Sequence, residues 1–373
     1  MREEWQNAER IVIKIGSSLL VDEQKGNFRT EWLLAFAEDI TQLYKDGKQI
    51  VLVSSGAKAL GRQELNFGDK KLALNEAQAA AAVGQISLSA AYKALFKSQP
   101  ISVAQILLTP DDTEDRRRFL NARDTINTLL DLGTIPVVNE NDTITTEELR
   151  YGDNDRLAAR VAAMIEADVL MILSDIDGLY TTPPKSSQPS EHLDVIQEIT
   201  PEIEAMAGGS GSSLASGGMV TKIEAAKIAN ASGCHMVITS GKGANPITAF
   251  LNGGKASWFL SSADPVQSRK SWIRGSLDIK GTVTIDKGAE TALKAGKSLL
   301  PAGVTAITGT FNRGDIIAIK TETDDDIAVG MSSYTSEDAD KIIGKQSSEI
   351  EEILGYSGRS ELIHRDNMAL TKV

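Results

Sequence analysis

Acids and amides crowd the stretch NENDTITTEELRYGDND, from Asn139 to Asp155, and gather in two clusters, NEND and GDND. Asn and Asp cap helices by accepting hydrogen bonds from free backbone N–H groups. GDND precedes RLAARVAAMIEA, where Leu157, Val161, Met164 and Ile165 recur at helical spacing. Asp153 or Asn154 therefore reads as an N-cap worth about 1 kcal/mol. Capping leaves NEND unexplained. That cluster ends TIPVV, an apolar, β-branched run of the kind buried in parallel sheets, and ligands in open α/β sheets bind beyond the carboxyl ends of such strands. Together the clusters read as polar walls of a ligand site.

Other polar segments fall at the same kind of place. IKIGSS carries Lys14, Gly16, Ser17 and Ser18, and a lysine within an apolar strand is costly without an anionic partner. That favours a functional Lys14 over one snorkelling to water. VSSGA (53–57) repeats the device of hydroxyls and a glycine, with a plain serine-capped turn as the competing account. In AGGSGSSLASGGMVTKIEAAK, glycines 208, 209, 211, 217 and 218 flank serines before a helix expected to open near Thr221. This is the clearest phosphate-loop candidate, because glycines close over an anion, helix-start N–H groups attract it and Lys222 can follow the transferring group, whereas a disordered linker, the competing account, need not end in an amphipathic helix. DVLMILSD runs into IDGLYTT, placing Ser174, Asp175, Asp177 and Tyr180 where they hold a ribose or adenine, or else form an Asp-Gly turn with a packed tyrosine. DDTEDRRRFLNARD is most simply a solvated helix start, with an anion or subunit contact by Arg116 to Arg118 as the alternative.

Two lysines, glycine loops and acid–amide clusters are what phosphoryl transfer requires, since positioning and charge neutralisation do most of that work. No side chain stands out as a general base. A carboxylate acceptor needs none, because a glutamate-type side chain in water, with a pKa of about 4.3, is already ionised at neutral pH. Neither GxxxxGK[ST] nor GxGxxG occurs, so the common nucleotide folds are not indicated.

Short apolar strands alternating with helical patterns must position these groups from residue 10 to about 260. RIVIKIG, QIVLVSSG, ISVAQILLT, TIPVVNEND, DVLMILSD and HMVITSG are the strands, and an Ala-rich helix runs from about Asn75 to Phe96. The alternation predicts an open, mostly parallel α/β sheet with helices on both faces. Around 260 the pattern changes, and short glycine-punctuated strands from Gly281 predict a small β-barrel. The expected division is a catalytic domain at 1–260, a linker at 261–277, a barrel domain at 278–360 and a tail at 361–373. ETDDD (322–326) reads as a solvated hairpin turn.

With 373 residues, 41% of them hydrophobic, the chain is long enough for two cores. No apolar run approaches the ~18 residues of a membrane span and MREEWQNAER lacks a signal pattern, so a cytoplasmic location is expected. A lone Cys234 excludes an internal disulfide, and His192, His235 and His364 lack metal-ligand spacing, so Cys234 and His235 read as packing residues. A net charge of -12 argues against a general nucleic-acid binder and leaves small substrates as the better class.

The motifs IVIKIGSSLL, VSSGAKALG, LNARDT, PVVNENDT, YGDNDRLAA, LSDIDGLYT and SGGMVTK, in that order, resemble the glutamate 5-kinase family of the amino acid kinase superfamily, and the segment after Gly281 resembles its C-terminal PUA domain. The resemblance implies phosphorylation of the L-glutamate side-chain carboxylate by ATP with Mg2+, giving L-glutamyl 5-phosphate on the way to proline. It implies that Ser55, Asp142 and Asn154 contact glutamate, with Asp142 neutralising the α-ammonium group, and that Lys14 and Lys222 are the catalytic pair held by Asp155. Ser174 and Asp175 resemble nucleotide contacts alongside Lys14, and Ser216, Gly217, Gly218, Met219, Val220, Thr221 and Lys222 resemble the loop over the phosphates. In that loop Ser216 stands where Thr is frequent and Val220 where Ser is frequent. The family also implies feedback inhibition by proline, a downstream glutamyl phosphate reductase and a homo-oligomer. A same-fold kinase for another acid is the alternative; an acylated amine such as N-acetylglutamate would leave Asp142 without a cationic partner. RNA binding, the other alternative, is what a PUA domain brings to mind, but residues 278–373 hold 16 acids against 11 bases.

Overall fold

The structure, a computed structural model, describes residues 2–22, 26–145, 154–182, 184, 189–207, 218–262 and 279–371. The chain divides into two compact units, Met1–Pro265 and Val266–Val373. The interdomain stretch 263–278 lies outside the described residues.

In the first unit the apolar runs form strands β1 (Arg10–Ile15), β2 (Gln49–Ser54), β3 (Ser102–Leu108), β4 (Thr134–Glu140), β5 (Val169–Ser174), β6 (Val195–Ile196), β7 (His235–Ser240) and β8 (Ala256–Phe259). Among the described residues they build an eight-stranded sheet in the order β6-β8-β7-β5-β1-β2-β4-β3. Every neighbouring pair from β7 to β3 is parallel; β8 is antiparallel to β7, and β6 runs parallel to β8. The principal helices are α1 (Thr30–Lys45), α2 (Ala57–Glu64), α3 (Leu74–Leu95), α4 (Arg116–Asp131), α5 (Asn154–Met164) and α6 (Met219–Ala231).

Strand side chains alternate between faces, and each face has its own core. Ile11, Ile13 and Ile15 of β1 pack with Phe36 and Ile40 of α1 and Leu88 and Tyr92 of α3. Val12 packs on the other face, with Leu157 and Val161 of α5 and Ala225 and Ala226 of α6. By the same alternation Lys14 shares the face of Val12, which carries it up between α5 and α6.

Two local expectations change. Helix α6 opens at Met219 rather than near Thr221, with Gly218 extended as N-cap and the Thr221 hydroxyl donating back to the Gly218 carbonyl at 2.8 Å. DDTEDRRR is two helices, Pro110–Glu114 and α4, separated by Asp115, whose carboxylate accepts from the Arg118 N–H and caps α4. Cys234 and His235 meet the packing expectation, the thiol fully buried beside the start of β7.

The second unit carries β9 (Gly281–Ile285), β10 (Val304–Gly309), β11 (Ile316–Thr321), β12 (Asp326–Met331) and β13 (Met368–Leu370) in the order β10-β9-β11-β12-β13. Only the β9–β11 pairing is parallel. Val283, Ile317, Ile319 and Phe311 lead its separate core, and the acidic run at 322–326 turns between β11 and β12 with Asp324 left-handed at φ 66.

Candidate active site

The carboxyl ends of β1, β2, β4 and β5 open into one cleft of about 760 Å³. Lys14, Ser55, Asp142, Asn154, Ser174, Asp175 and Lys222, all expected site residues, line it.

Asp155 is the pivot. It sits in the first turn of α5, completely buried, where a carboxylate also suits the helix dipole. Lys14 Nζ approaches Oδ1 at 2.5 Å and Lys222 Nζ approaches Oδ2 at 3.0 Å, while the Thr221 hydroxyl donates to Oδ2 at 3.1 Å. Three distant segments, β1, α5 and α6, thus meet at one carboxylate. Burial pushes the Asp155 acid upward, but the Lys14 and Lys222 ammonium groups outweigh it and hold the carboxyl below the ordinary range. Two ammonium groups thus converge on a single carboxylate at this end of the cleft, an arrangement that suits an anion.

Asn154 is the first described residue of α5, and its side chain reaches across the cleft floor rather than serving the helix. Its Nδ2 donates to the Ser54 carbonyl at 2.7 Å, Ser55 Oγ at 2.9 Å and Asn139 Oδ1 at 2.9 Å. This amide ties α5 to the ends of β2 and β4. Asn139 donates in turn to Gln85 of α3 at 2.8 Å, and Tyr92 of α3 donates to Ser54 Oγ at 2.9 Å. Asp153, the other capping candidate, lies outside the described residues.

The wall beyond Ser55 depends on glycine. Gly56 is left-handed at φ 104, a conformation that L side chains resist, and lets the chain turn from β2 directly into α2. Helix α2 then crosses α3 backbone to backbone: a Cβ at Gly61 would lie 1.7 Å from the Ala80 carbonyl oxygen, and one at Gly84 would lie 1.8 Å from that of Ala57. That crossing fixes Ala57, Lys58 and Ala59 along the cleft. Asp142 stands opposite, 3.9 Å from Lys58 Nζ.

On the other side, Ser174 Oγ donates to Asp175 Oδ1 at 3.2 Å, and Tyr180 donates to Asp177 at 2.9 Å. Tyr180 packs edge-on to His192 and lines a second hollow of about 360 Å³ with Ile176, Leu179, Met206 and Met219. Asp177 and Tyr180 so realise the Asp-Gly turn, and the tyrosine borders a hollow as well. Gly218, Met219, Val220 and Thr221 form the start of α6, whereas Ser216 and Gly217 lie outside the described residues.

Sequence reasoning did not single out Asn139, Glu140, Lys58 and Arg62, which also line the cleft. The first two belong to NEND itself. Lys58, on the first turn of α2, carries no signal of its own in the sequence.

The chain matches the model of the amino acid kinase family over residues 9–240 and that of the PUA domain over 281–354. A glutamate 5-kinase from Rhodopseudomonas palustris is 54% identical over 99% of this chain and 98% of its own. Those from Sinorhizobium fredii and Agrobacterium fabrum are each 56% identical over 97% of this chain and 92% and 93% of theirs. The chain belongs to the glutamate 5-kinase family. Its fold is that of the amino acid kinases, as in the carbamate kinase from Giardia lamblia bound to AMP-PNP, 20% identical with a TM-score of 0.50 over 69% of this chain and 99% of that one. Membership in a kinase family brings ATP as phosphoryl donor. Among the described residues no helix is long and apolar enough to cross a membrane.

Proposed function

We propose that this chain transfers the γ-phosphoryl group of ATP to the side-chain carboxylate of L-glutamate, forming L-glutamyl 5-phosphate and ADP as the first step toward proline. The Lys14–Asp155–Lys222 assembly carries the reading. A carboxylate oxygen attacks phosphorus, the bond to the β-γ bridging oxygen breaks and ADP leaves with its electrons, so no proton need move. What remains is to gather anions. Lys14 and Lys222 neutralise charge on the transferring group and the incoming carboxylate, and Asp155 keeps both ammonium groups aimed at one point.

Ser55, Asn154 and Asp142 hold the amino acid on the β2 and β4 side. Ser174, Asp175 and the residues from Gly218 to Lys222 hold the nucleotide on the β5 side, the α6 start facing the phosphates and the apolar hollow by Tyr180 and Met219 seating the base. Where Mg2+ accompanies the nucleotide, Asp175, beside Ser174 at the end of β5, would be a carboxylate placed to hold it, and the ion would supply further neutralisation of phosphate charge. Proline, sharing the head group of glutamate, competes at the Asp142 end as a feedback inhibitor. The acyl phosphate is reactive and calls for a reductase to consume it, and a homo-oligomer and a cytoplasmic location complete the reading.

Purified protein with Mg-ATP and a panel of acids, with any acyl phosphate trapped by hydroxylamine, tests the proposal. Hydroxamate from L-glutamate but not from aspartate or N-acetylglutamate is the expected result. Product only from another acid would overturn the acceptor and leave the lysine assembly standing.

A further inference from the structure

The pairing of Asp142 with Lys58 changes how the acceptor's head group must be read. With Asp142 alone, the α-ammonium group of the substrate would be its cation, and an acylated amine would leave it without one. Lys58 already supplies a cation, at 3.9 Å. The side chains remain open to solvent, 41% exposed for Lys58 and 23% for Asp142, so the pair is a loose one of the sort that contributes little to stability. What it provides is a site with one positive and one negative charge side by side.

We propose that Lys58 is a specificity-determining residue that binds the α-carboxylate of the amino-acid acceptor while Asp142 takes its α-ammonium group. This rests on the proposed glutamate phosphorylation. The cleft has two charged ends: at one, Lys14 and Lys222 converge on Asp155, two ammonium groups that fit an isolated carboxylate, and at the other Lys58 and Asp142 stand side by side, a pair that fits a zwitterion. Other cations along the cleft are engaged elsewhere. Lys14 and Lys222 are buried against Asp155, and the Arg62 guanidinium donates to the Gly68 and Lys70 carbonyls at 2.6 and 2.9 Å. Lys58 also lies in the first turn of α2, three residues after Ser55, so the free N–H groups of that turn face the same carboxylate. When the substrate enters, its ammonium and carboxylate insert between the two side chains, and each protein charge exchanges a distant partner for a closer one.

Lys58→Met, which keeps the length of the side chain at a half-exposed helical position, is compared with Lys58→Arg and the native protein by the hydroxamate assay. The acceptors are L-glutamate, 4-aminobutyrate, which lacks the α-carboxylate, and glutarate, which lacks the ammonium group. For Lys58→Met the KM for L-glutamate should rise about 10- to 100-fold, as for loss of a charge-assisted contact of about 1.5–3 kcal/mol, while kcat falls far less and Lys58→Arg recovers most of the affinity. The decisive readout is a ratio. The native preference in kcat/KM for L-glutamate over 4-aminobutyrate should shrink by about the same factor in Lys58→Met, because a residue that contacts the α-carboxylate contributes nothing to a substrate lacking it. An unchanged ratio would overturn the assignment, as would an equal loss on both acceptors. Native protein that forms no hydroxamate from L-glutamate would instead defeat the function on which it rests.

Discussion

Replacing Asp155 by Asn changes one oxygen to nitrogen at a completely buried site. In the native protein the two lysines lie 2.5 and 3.0 Å from separate oxygens of a fully buried carboxylate. At an effective dielectric of about 20 each contact is worth about 6 kcal/mol gross, set against a desolvation penalty of several kcal/mol per ion. The net worth of the assembly is therefore modest, but breaking it is not. Asp155→Asn leaves two buried ammonium groups facing a neutral amide, one against its N–H side, and removing one partner of a buried ionic group costs about 3–5 kcal/mol. At about 2–4 °C per kcal/mol for a domain of some 150–250 residues, scanning calorimetry should find the first unit melting about 10 °C lower. Steady-state assays should find kcat down by about 10²–10³, the scale of losing one preorganised transition-state contact. Adding Lys222→Met to Asp155→Asn removes the unmatched charge and should recover part of the melting temperature but none of the rate. If Asp155→Asn melted within about 2 °C of the native protein, or if the double variant were the less stable of the two, the account of Asp155 as the counter-charge to both lysines would be refuted.

Lys222→Ala should lower kcat by about 10²–10³, and an unchanged kcat would remove Lys222 from the chemistry. Acid unfolding should report Asp155 as well. Its folded carboxyl titrates below the ordinary value of 3.8, so its stabilising contribution is complete above that value and disappears as pH falls through the lower folded one. The urea midpoint should thus drop more steeply below about pH 4 in the native protein than in Asp155→Asn, and parallel curves would contradict the shift. Gly84→Ala should destabilise by at least the 1–3 kcal/mol usual for overpacking, because its Cβ would meet backbone at 1.8 Å rather than a side chain that can move. It should also raise the KM for glutamate by pushing α2 aside, and a normal melting temperature would show that the helices can separate freely.

The sheet was legible because its strands are apolar, β-branched runs that fall between helical patterns. The lysines were legible for a related reason, since a charge in the apolar run RIVIKI must answer to something. What the sequence could not show is which partner each residue meets. Asp155 and Lys222 lie on separate helices, and only the packing of α5 on α6 brings them to one point. GDND looked like a cap, and capping is a local rule, whereas Asn154 spends its amide on residues of β2 and β4. Gln85 and Tyr92 were hidden in an alanine-rich helix whose polar residues carry no period of their own. Lys58 was hidden by its ordinariness, since an exposed lysine on a short helix gives no signal until an acid from another loop is found beside it. The start of α6 lies two residues before Thr221 because Gly218, extended and without a side-chain cap, begins the helix, and a glycine in a glycine-rich run does not mark such a boundary.

The sheet order has a consequence for how such an enzyme can change over evolutionary time. The sheet sets β2, β4 and β3 on one side of β1 and β5 and β7 on the other. The proposed acceptor contacts come from the first flank and the proposed donor contacts from the second, and β1 contributes the lysine at the seam. Mutations that reshape the acceptor flank, at Lys58, Asp142 or the α2–α3 crossing, leave the strands and helix that address ATP untouched. Selection can therefore exchange one acceptor for another in small steps without disturbing the phosphoryl donor, and libraries directed at the β2–β4 flank alone are the economical route to a kinase for a new acid.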